Sequence, residues 1–246
     1  MKTGYLNEFE FINYLNKRKY IESNISIQEL LKKLFPDIKE QDIICAYKYG
    51  SYAKADMVIE INGIKKGISI KSGSRNSVLL ELIDSFINYL KRLGFVETDK
   101  LLRYLYSDGT NNNTGNIRLS SDEYKTNHKN DIDMINRDLK SLDHKLITRF
   151  LIATDTNYKV EVDAFIYGSV NDFLWATKEE VIEHLMKSNI NSSGVHISNL
   201  FLQNWNKNLK YNPKYEYCRS YIQVKWYSIF DDFIEILCTR NQSHYK

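Results

Sequence analysis

The chain has 246 residues, of which 43% are hydrophobic and 26% charged, so it can bury the core of one large domain or of a domain with a subdomain. No apolar run approaches the ~18 residues that span a bilayer, the N-terminal residues lack the apolar segment of a signal peptide, and three distant cysteines indicate neither a disulfide framework nor a zinc site. The net charge of +3 falls short of a strongly basic nucleic-acid binder. We therefore expect a cytoplasmic protein without membrane contact.

Apolar residues at helical spacing predict two helices in the first part of the chain. The first runs from Gly4 to about Lys19, and the second runs from Ile27 to Phe35 and ends at Pro36. The β-branched run from Ile43 to Tyr47 then predicts a short strand.

Residues 54–73 predict a β-hairpin. Asn62-Gly63 is a favoured two-residue turn, because both positions tolerate the positive φ that a type I′ turn requires. With this turn Ile61 pairs with Ile64, and counting outward places Asp56 directly opposite Ser69.

The two faces of this hairpin differ in character. Side chains alternate between the faces of a strand, so Ser69 and Lys71 share one face with Asp56. Met57, Ile59, Ile68 and Ile70 point the other way, into the predicted core. The pattern predicts a polar, convergent face over an apolar one.

The following elements are predicted in the same manner. A helix capped by Ser77 starts at Val78 and ends at Gly94, and the polar residues from Ser107 to Asn130 predict a long loop. The later elements are a helix from about Asp131 to Thr148, a buried strand at Arg149 to Thr154, an extended segment from Lys159 to Tyr167 and a helix around Lys178 to Met186.

A carboxylate and a lysine on one face suit phosphodiester hydrolysis. This reaction needs a cation to neutralise charge on the phosphate, a deprotonated water and a stabilised leaving group. Carboxylate oxygens bind Mg²⁺, and an adjacent ammonium group can orient the water or stabilise the transition state. Asp56 and Lys71 fit these two roles, although a surface hairpin would show the same loose pattern.

At these residues the chain resembles the PD-(D/E)xK nuclease superfamily. Its core is a helix, three strands, a helix and a further strand, which matches the predicted order from Gly4 to about Thr154. Asp56 matches the first carboxylate of the family, Lys71 its lysine, and Glu8 an acidic residue of the opening helix. The resemblance implies an α/β fold with a restriction-endonuclease-like core, a mixed central sheet flanked by helices, over residues 1–170. A C-terminal α+β extension over 171–246 would be a possible DNA-recognition subdomain.

Two residues depart from the family motif. Ala55 replaces its proline, and Ser69 replaces its second carboxylate, as in some restriction endonucleases of the superfamily in which the following helix supplies that ligand. Here the predicted helix offers Glu81, our first choice, and Asp84 as its alternative. The resemblance thus implies a Mg²⁺ site formed by Asp56, Glu81 or Asp84, and the backbone carbonyl of Ile70. Both acidic residues equally suit the helix dipole, and Glu8 suits a solvated first turn.

Several polar residues are candidates for DNA contact. Side chains of Asn and Gln suit adenine, and those of Arg and Lys suit guanine or phosphate. The candidates are Arg75 and Asn76 in the connection after the hairpin, Gln203 and Asn204, and Arg219, Gln223 and Lys225. The last three lie in or beside a segment whose polar and apolar residues alternate, which is also typical of any half-exposed strand.

The residues and the resemblance together indicate a Mg²⁺-dependent endodeoxyribonuclease for double-stranded DNA, most like a type II restriction endonuclease. By resemblance it would act as a homodimer, alongside a protective DNA methyltransferase. Two alternatives stay open: a structure-selective nuclease such as a junction resolvase, and a catalytically inactive nuclease fold that only binds DNA.

Overall fold

The computed structural model describes residues 3–50, 53–73, 76–115, 118–153, 160–188, 193–205 and 213–243. Contacts divide the chain into two compact units. The first unit comprises Met1–Ser74, Thr148–His184 and Ser228–Lys246, and the second comprises Arg75–Ile147 and Leu185–Tyr227.

The strands of the described residues define two sheets. In chain order they are β1 (Cys45–Lys48), β2 (Met57–Ile61), β3 (Ile64–Lys71), β4 (Asn76–Leu82), β5 (Val162–Ser169), β6 (Asp172–Thr177), β7 (His196–Ile197), β8 (Leu200–Asn204) and β9 (Tyr221–Trp226).

The helices of the described residues flank these sheets. In chain order they are α1 (Thr3–Leu15), α2 (Ile25–Leu34), α3 (Ile83–Arg92), α4 (Thr98–Tyr106), α5 (Ser121–Asn127), α6 (Lys129–Lys140), α7 (Asp143–Ile147), α8 (Lys178–Lys187) and α9 (Ile229–Ser243). Short 3₁₀ segments cover Tyr20–Glu22 and Pro213–Ser220, and a π-helix covers Thr148–Ile152. No helix of this part of the chain is both long and apolar enough to cross a membrane.

The first unit is built on a mixed sheet with the strand order β1-β2-β3-β5-β6. The pair β3 and β5 is parallel, whereas the other neighbouring pairs are antiparallel. Gly67 lies at the irregularity where β3 meets β5, and a Cβ atom there would lie 2.0 Å from the backbone oxygen of Glu161. This close approach requires glycine.

Apolar side chains of α1 and α2 form the core on one face of this sheet. The cluster includes Phe11, Leu15, Ile27, Leu30 and Leu31 from the helices and Met57, Ile59, Ile68, Ile70 and Ile166 from the strands. The four inward residues predicted for the hairpin therefore lie in the core. The predicted α/β class, with a mixed sheet flanked by helices, is confirmed.

The predicted hairpin is also confirmed in its turn and register. Asn62 and Gly63 have φ values of 51° and 81°, as a type I′ turn requires, and Ile61 pairs with Ile64. The backbone N–H of Asp56 donates to the carbonyl of Ile68 at 2.9 Å, which extends the ladder to the start of the strand.

Helix α9 is tied to the edge of the first sheet by Arg240. Its guanidinium stacks on the Trp175 ring at 3.7 Å and donates to both carboxylate oxygens of Glu180 at 2.8 Å. Burial alone would raise the pKa of Glu180, but the bonds from Arg240 and Thr177 outweigh it, so this pKa is lowered from its usual 4.5.

The second unit contains an antiparallel sheet with the strand order β4-β9-β8-β7. Strand β9 alternates as predicted: Ile222, Val224 and Trp226 are fully buried, whereas Gln223 and Lys225 are half-buried. The buried residues of β8 and β9 face the core of this unit, and the polar residues form its other face.

Four local predictions are wrong. The residues from Val78 to Leu82 form strand β4 and not a helix, and helix α3 begins only at Ile83. The predicted loop from Ser107 to Asn130 contains α5, which a capping box at its N-terminus stabilises, and the start of α6. The predicted helix after it is broken into α6 and α7, and the predicted buried strand after that is a π-helix.

The units also follow a different division from the one predicted at residue 170. Strand β4 pairs with β9, far along the chain, whereas α9 packs on the first sheet. The region 171–246 therefore contributes to both units. Its predicted role in DNA recognition stays a prediction.

Candidate active site

The start of β2 and the end of β3 bring three predicted site residues together. Asp56 precedes β2 and lies across the hairpin from Ser69, because Met57 pairs with Ile68. Lys71 is the last residue of β3 and lies on the same face, two positions beyond Ser69.

One carboxylate oxygen of Asp56 accepts hydrogen bonds from three donors. The Ser69 hydroxyl donates to Oδ2 at 3.0 Å, the backbone N–H of Ile70 donates at 2.7 Å, and the Lys71 ammonium donates at 3.4 Å. Such bonds to a charged acceptor contribute about 1.5–3 kcal/mol each. They fix the orientation of the carboxylate.

The site lies at the boundary between core and solvent. The side chains of Asp56 and Lys71 are 24% and 17% exposed, and Ser69 is 2% exposed. Partial burial strengthens the attraction between the carboxylate and the ammonium and still leaves a substrate access to both. Ser69 therefore acts as a buried support for Asp56.

The oxygen atoms at this site supply part of the ligand set that Mg²⁺ prefers. Among the described residues the three donors contact Oδ2, so Oδ1 of Asp56 is the oxygen with which the carboxylate would bind a cation. The carbonyl of Ile70 is also close, since it accepts from the Lys71 ammonium at 3.4 Å. Mg²⁺ at sites that act on phosphate groups commonly binds one or two carboxylates, waters and substrate phosphate oxygens. One carboxylate and one carbonyl meet that lower requirement.

No group of three or more His, Cys, Asp or Glu side chains that could hold a metal ion occurs in the described part of the chain. The second carboxylate was expected on a helix starting at Val78, but these residues belong to strand β4. Glu81 lies on that strand and accepts from the Ser85 hydroxyl at 2.9 Å, whereas Asp84 lies in the first turn of α3. They therefore lie on different elements, and the role of either one as a metal ligand stays a prediction.

Glu8 is placed by an ion pair with β1. Its carboxylate lies 3.1 Å from the ammonium of Lys48, whose side chain also covers the Tyr5 ring at 4.3 Å. Lys48 pairs with Met57, the residue after Asp56, so Glu8 is linked to the start of β2 through β1. Its role in catalysis stays a prediction.

Tyr167 is a residue of this site that the sequence did not single out. It pairs with Lys71 across the parallel β3 and β5, and its hydroxyl donates to the carbonyl of Gly73 at 3.1 Å. Phe230 and Phe233 of α9 pack against its ring, with centroids 5.9 and 6.1 Å away. Tyr167 therefore anchors the backbone just after Lys71, where the chain leaves β3. The alternation along β5 could predict which face of the sheet Tyr167 lies on, but not its hydrogen bond to Gly73.

The candidate DNA-contacting residues separate into half-buried and buried groups. Gln203, Gln223 and Lys225 lie half-buried on the polar face of the second sheet. Asn76 and Asn204 are 7% and 1% exposed, and the Asn204 amide donates to a backbone carbonyl at 2.9 Å. This burial argues against contact of either asparagine with a base. Arg75 lies outside the described residues.

Arg219 is part of a buried ion pair, which argues against a role in reading DNA. Its guanidinium lies 3.0 Å from the carboxylate of Asp108, whose side chain is fully buried, and 2.9 Å from that of the exposed Glu216. Asp108 also accepts from the backbone N–H groups of Thr110 and Gly115. The pair holds the 108–115 loop against the 3₁₀ segment.

The fold is similar to that of restriction endonuclease MspI, in a crystal structure of that enzyme in complex with its cognate DNA. The TM-score is 0.56 over 90% of this chain and 88% of that chain, at 12% sequence identity. At this identity the likeness shows the fold alone, which is restriction-endonuclease-like as predicted. No protein-family model matches the chain, and no curated protein sequence matches it.

Proposed function

We propose that this chain is a Mg²⁺-dependent endodeoxyribonuclease that hydrolyses double-stranded DNA at specific sites, as a type II restriction endonuclease does. The observation that carries the proposal is the Asp56 carboxylate held beside the Lys71 ammonium on adjacent strands. The similar fold of restriction endonuclease MspI, which was solved in complex with its cognate DNA, supports the same reaction class.

In this proposal each residue of the site has a distinct task. The Oδ1 atom of Asp56 and the carbonyl of Ile70 would hold Mg²⁺, which when bound neutralises phosphate charge and acidifies water. The Ser69 hydroxyl and the Ile70 N–H keep the carboxylate in one orientation. The Lys71 ammonium donates to the attacking water or to a phosphate oxygen, where it stabilises the charge of the transition state.

The experiment that tests the proposal maps DNA ends. The protein is incubated with a mixed-sequence duplex in Mg²⁺, and the ends are sequenced, with EDTA as the control. We expect discrete ends that share one sequence. A smear would support a nonspecific nuclease, and cleavage confined to a four-way junction run in parallel would support a resolvase.

The proposal includes the location, oligomeric state and partner of a type II restriction endonuclease. It would act in the cytoplasm as a homodimer, and a DNA methyltransferase would protect the same sites. Sedimentation with and without a cleaved duplex measures the dimer, and methylation of the mapped site before digestion should block cleavage.

One observation favours a second candidate, a catalytically inactive DNA-binding protein. The carboxylate oxygen Oδ2 of Asp56 is already held by three donors, and within the described residues no cluster of metal-binding side chains accompanies it. Binding of duplex DNA without any cleavage in Mg²⁺ or Mn²⁺ would establish this candidate in place of the first.

A further inference from the structure

The second sheet has a solvent-exposed face that carries a row of matched side chains. Gln223 of β9 pairs with Gln203 of β8 on one side and with Leu80 of β4 on the other. Paired residues of antiparallel strands lie on the same face, with Cβ atoms ~5 Å apart. Leu80 is 45% exposed, and Leu82, two positions further along β4, is 47% exposed. Both leucines are therefore accessible to a ligand.

The two glutamine amides are oriented by a short hydrogen-bond relay. The hydroxyl of Tyr227 donates to Oε1 of Gln203 at 3.4 Å, and Nε2 of Gln203 donates to Oε1 of Gln223 at 3.4 Å. An amide oxygen has two lone pairs and an amide nitrogen has two N–H groups. Gln223 thus keeps the capacity to accept one bond and donate another to a ligand, in a fixed orientation.

The chemistry of this row matches the major-groove edge of an A·T base pair. Adenine presents an acceptor at N7 and a donor at N6, which a glutamine amide satisfies with two hydrogen bonds, and thymine presents a methyl group that suits an apolar side chain. Gln223 supplies the amide, and Leu80 supplies an exposed apolar side chain directly beside it.

The position of these strands also suits the groove. Strand β4 lies at one edge of the four-stranded sheet, where it forms an antiparallel pair with β9. The major groove, about 12 Å wide, admits two antiparallel strands, which is the width of this edge pair. An exposed leucine on the edge strand has no function in the core of its own unit, whose apolar residues lie on the opposite face.

We propose that this open face reads an A·T base pair in the major groove, with Gln223 on the adenine and Leu80 on the thymine methyl group. The inference rests on the proposed function, because it assigns a part of duplex DNA to a surface of the same protein. The hydrogen bonds from Tyr227 to Gln203 and from Gln203 to Gln223 position the amide of Gln223 that would contact the adenine.

The test is selection from a randomised duplex pool, in EDTA, so that bound DNA is not cut. We expect the selected duplexes to share at least one A·T pair. Gln223→Ala should lower affinity for them about 5- to 150-fold and remove the preference at that pair, the range expected for loss of one bidentate contact. Gln41→Ala, at an exposed glutamine of the first unit, is the matched control and should leave affinity unchanged.

A second measurement compares duplexes that contain thymine or uracil and leaves Gln223 unchanged. Replacing the selected thymine by uracil removes only the methyl group and should weaken binding about fourfold, the value of one buried methyl group. Leu80→Ala should remove this difference between thymine and uracil.

The outcomes separate this inference from the proposed function. A selected pool without a shared A·T pair, a preference that survives in Gln223→Ala, or equal binding of thymine and uracil duplexes would overturn the inference alone. Failure to retain any duplex would overturn this inference, and cleavage of duplex DNA in Mg²⁺ by the same protein would show that the proposed function is unaffected.

Discussion

Replacing Ser69 by aspartate should make the stability of this protein depend on Mg²⁺. The Ser69 hydroxyl lies 3.0 Å from Oδ2 of Asp56 and is buried, so a carboxylate at this position would lie beside another. Two carboxylates ~4 Å apart repel by about 4 kcal/mol at an effective dielectric constant near 20. The Lys71 ammonium, 3.4 Å from Asp56, offsets part of this repulsion.

We therefore expect Ser69→Asp to lower the free energy of unfolding by about 2 kcal/mol in EDTA, which corresponds to ~4–8 °C in Tm for a chain of this length. A cation shared by the two carboxylates should recover this loss. A metal at 100 times its Kd stabilises the native state by about 2.7 kcal/mol.

Thermal unfolding in EDTA and in a series of Mg²⁺ concentrations measures the effect. Ser69→Asn is the control, since asparagine has the size of aspartate without its charge. Mg²⁺ should raise the Tm of this variant no more than it raises that of the wild type. Equal Tm values for the two variants in EDTA, or an equal response to Mg²⁺, would refute the inference that a carboxylate at position 69 lies close enough to Asp56 to share a cation with it.

The remaining predictions concern Lys71, whose catalytic role is proposed, and two structural residues. Lys71→Met should lower the cleavage rate at least ~100-fold at saturating Mg²⁺, whereas Lys65→Met on the same strand should leave it unchanged; equal rates would contradict the role of the ammonium. Arg219→Met should cost about 3 kcal/mol in urea unfolding, because it leaves a buried carboxylate unpaired; a cost below ~1 kcal/mol would show that the pair is not structural. Arg240→Gln should cost about 2 kcal/mol at pH 7. Because the pKa of Glu180 is lower in the folded state, its stabilising effect is present above pH 4.5 and is lost as the pH falls through the folded value, so this cost should shrink at pH 3; a constant cost would contradict the pairing.

The sequence predicted the hairpin well because its determinants are local. Two turn residues with positive φ set the register, and alternation then set the face of each side chain. The contact between Asp56 and Ser69 follows directly from this count. The role of Ser69 as a donor to Asp56 needed the structure, since the motif alone marks it only as a missing carboxylate.

The errors lie where distant parts of the chain decide the local structure. Residues 78–82 carry apolar residues that suit a helix, but they pair with β9, about 140 residues later, and so form a strand. The short apolar run Phe150-Leu151-Ile152 is buried either as a strand or as a helix, and periodicity does not distinguish the two. Glu81 was assigned to a helix instead of β4 because its pairing with β9 is not visible in the local sequence.

The contact of Tyr167 with Gly73 shows a further limit. Both residues lie in segments with clear local signals, but the parallel pairing of β3 and β5 that brings them together spans about 90 residues of chain. Parallel pairs have no turn to set their register. A residue that supports the site from the neighbouring strand is therefore visible only in the folded chain.

The most direct test of the central claim is the rate of plasmid cleavage in Mg²⁺ by Asp56→Asn, compared with the wild type and with Glu60→Gln. Asparagine keeps the size of the side chain and removes the charge that would bind the cation, whereas Glu60 lies further along the same strand and pairs with Lys65. We expect Asp56→Asn to lose at least ~100-fold in rate with its fold intact, and Glu60→Gln to cleave as the wild type does. Cleavage by Asp56→Asn at the wild-type rate would contradict the assignment of this site.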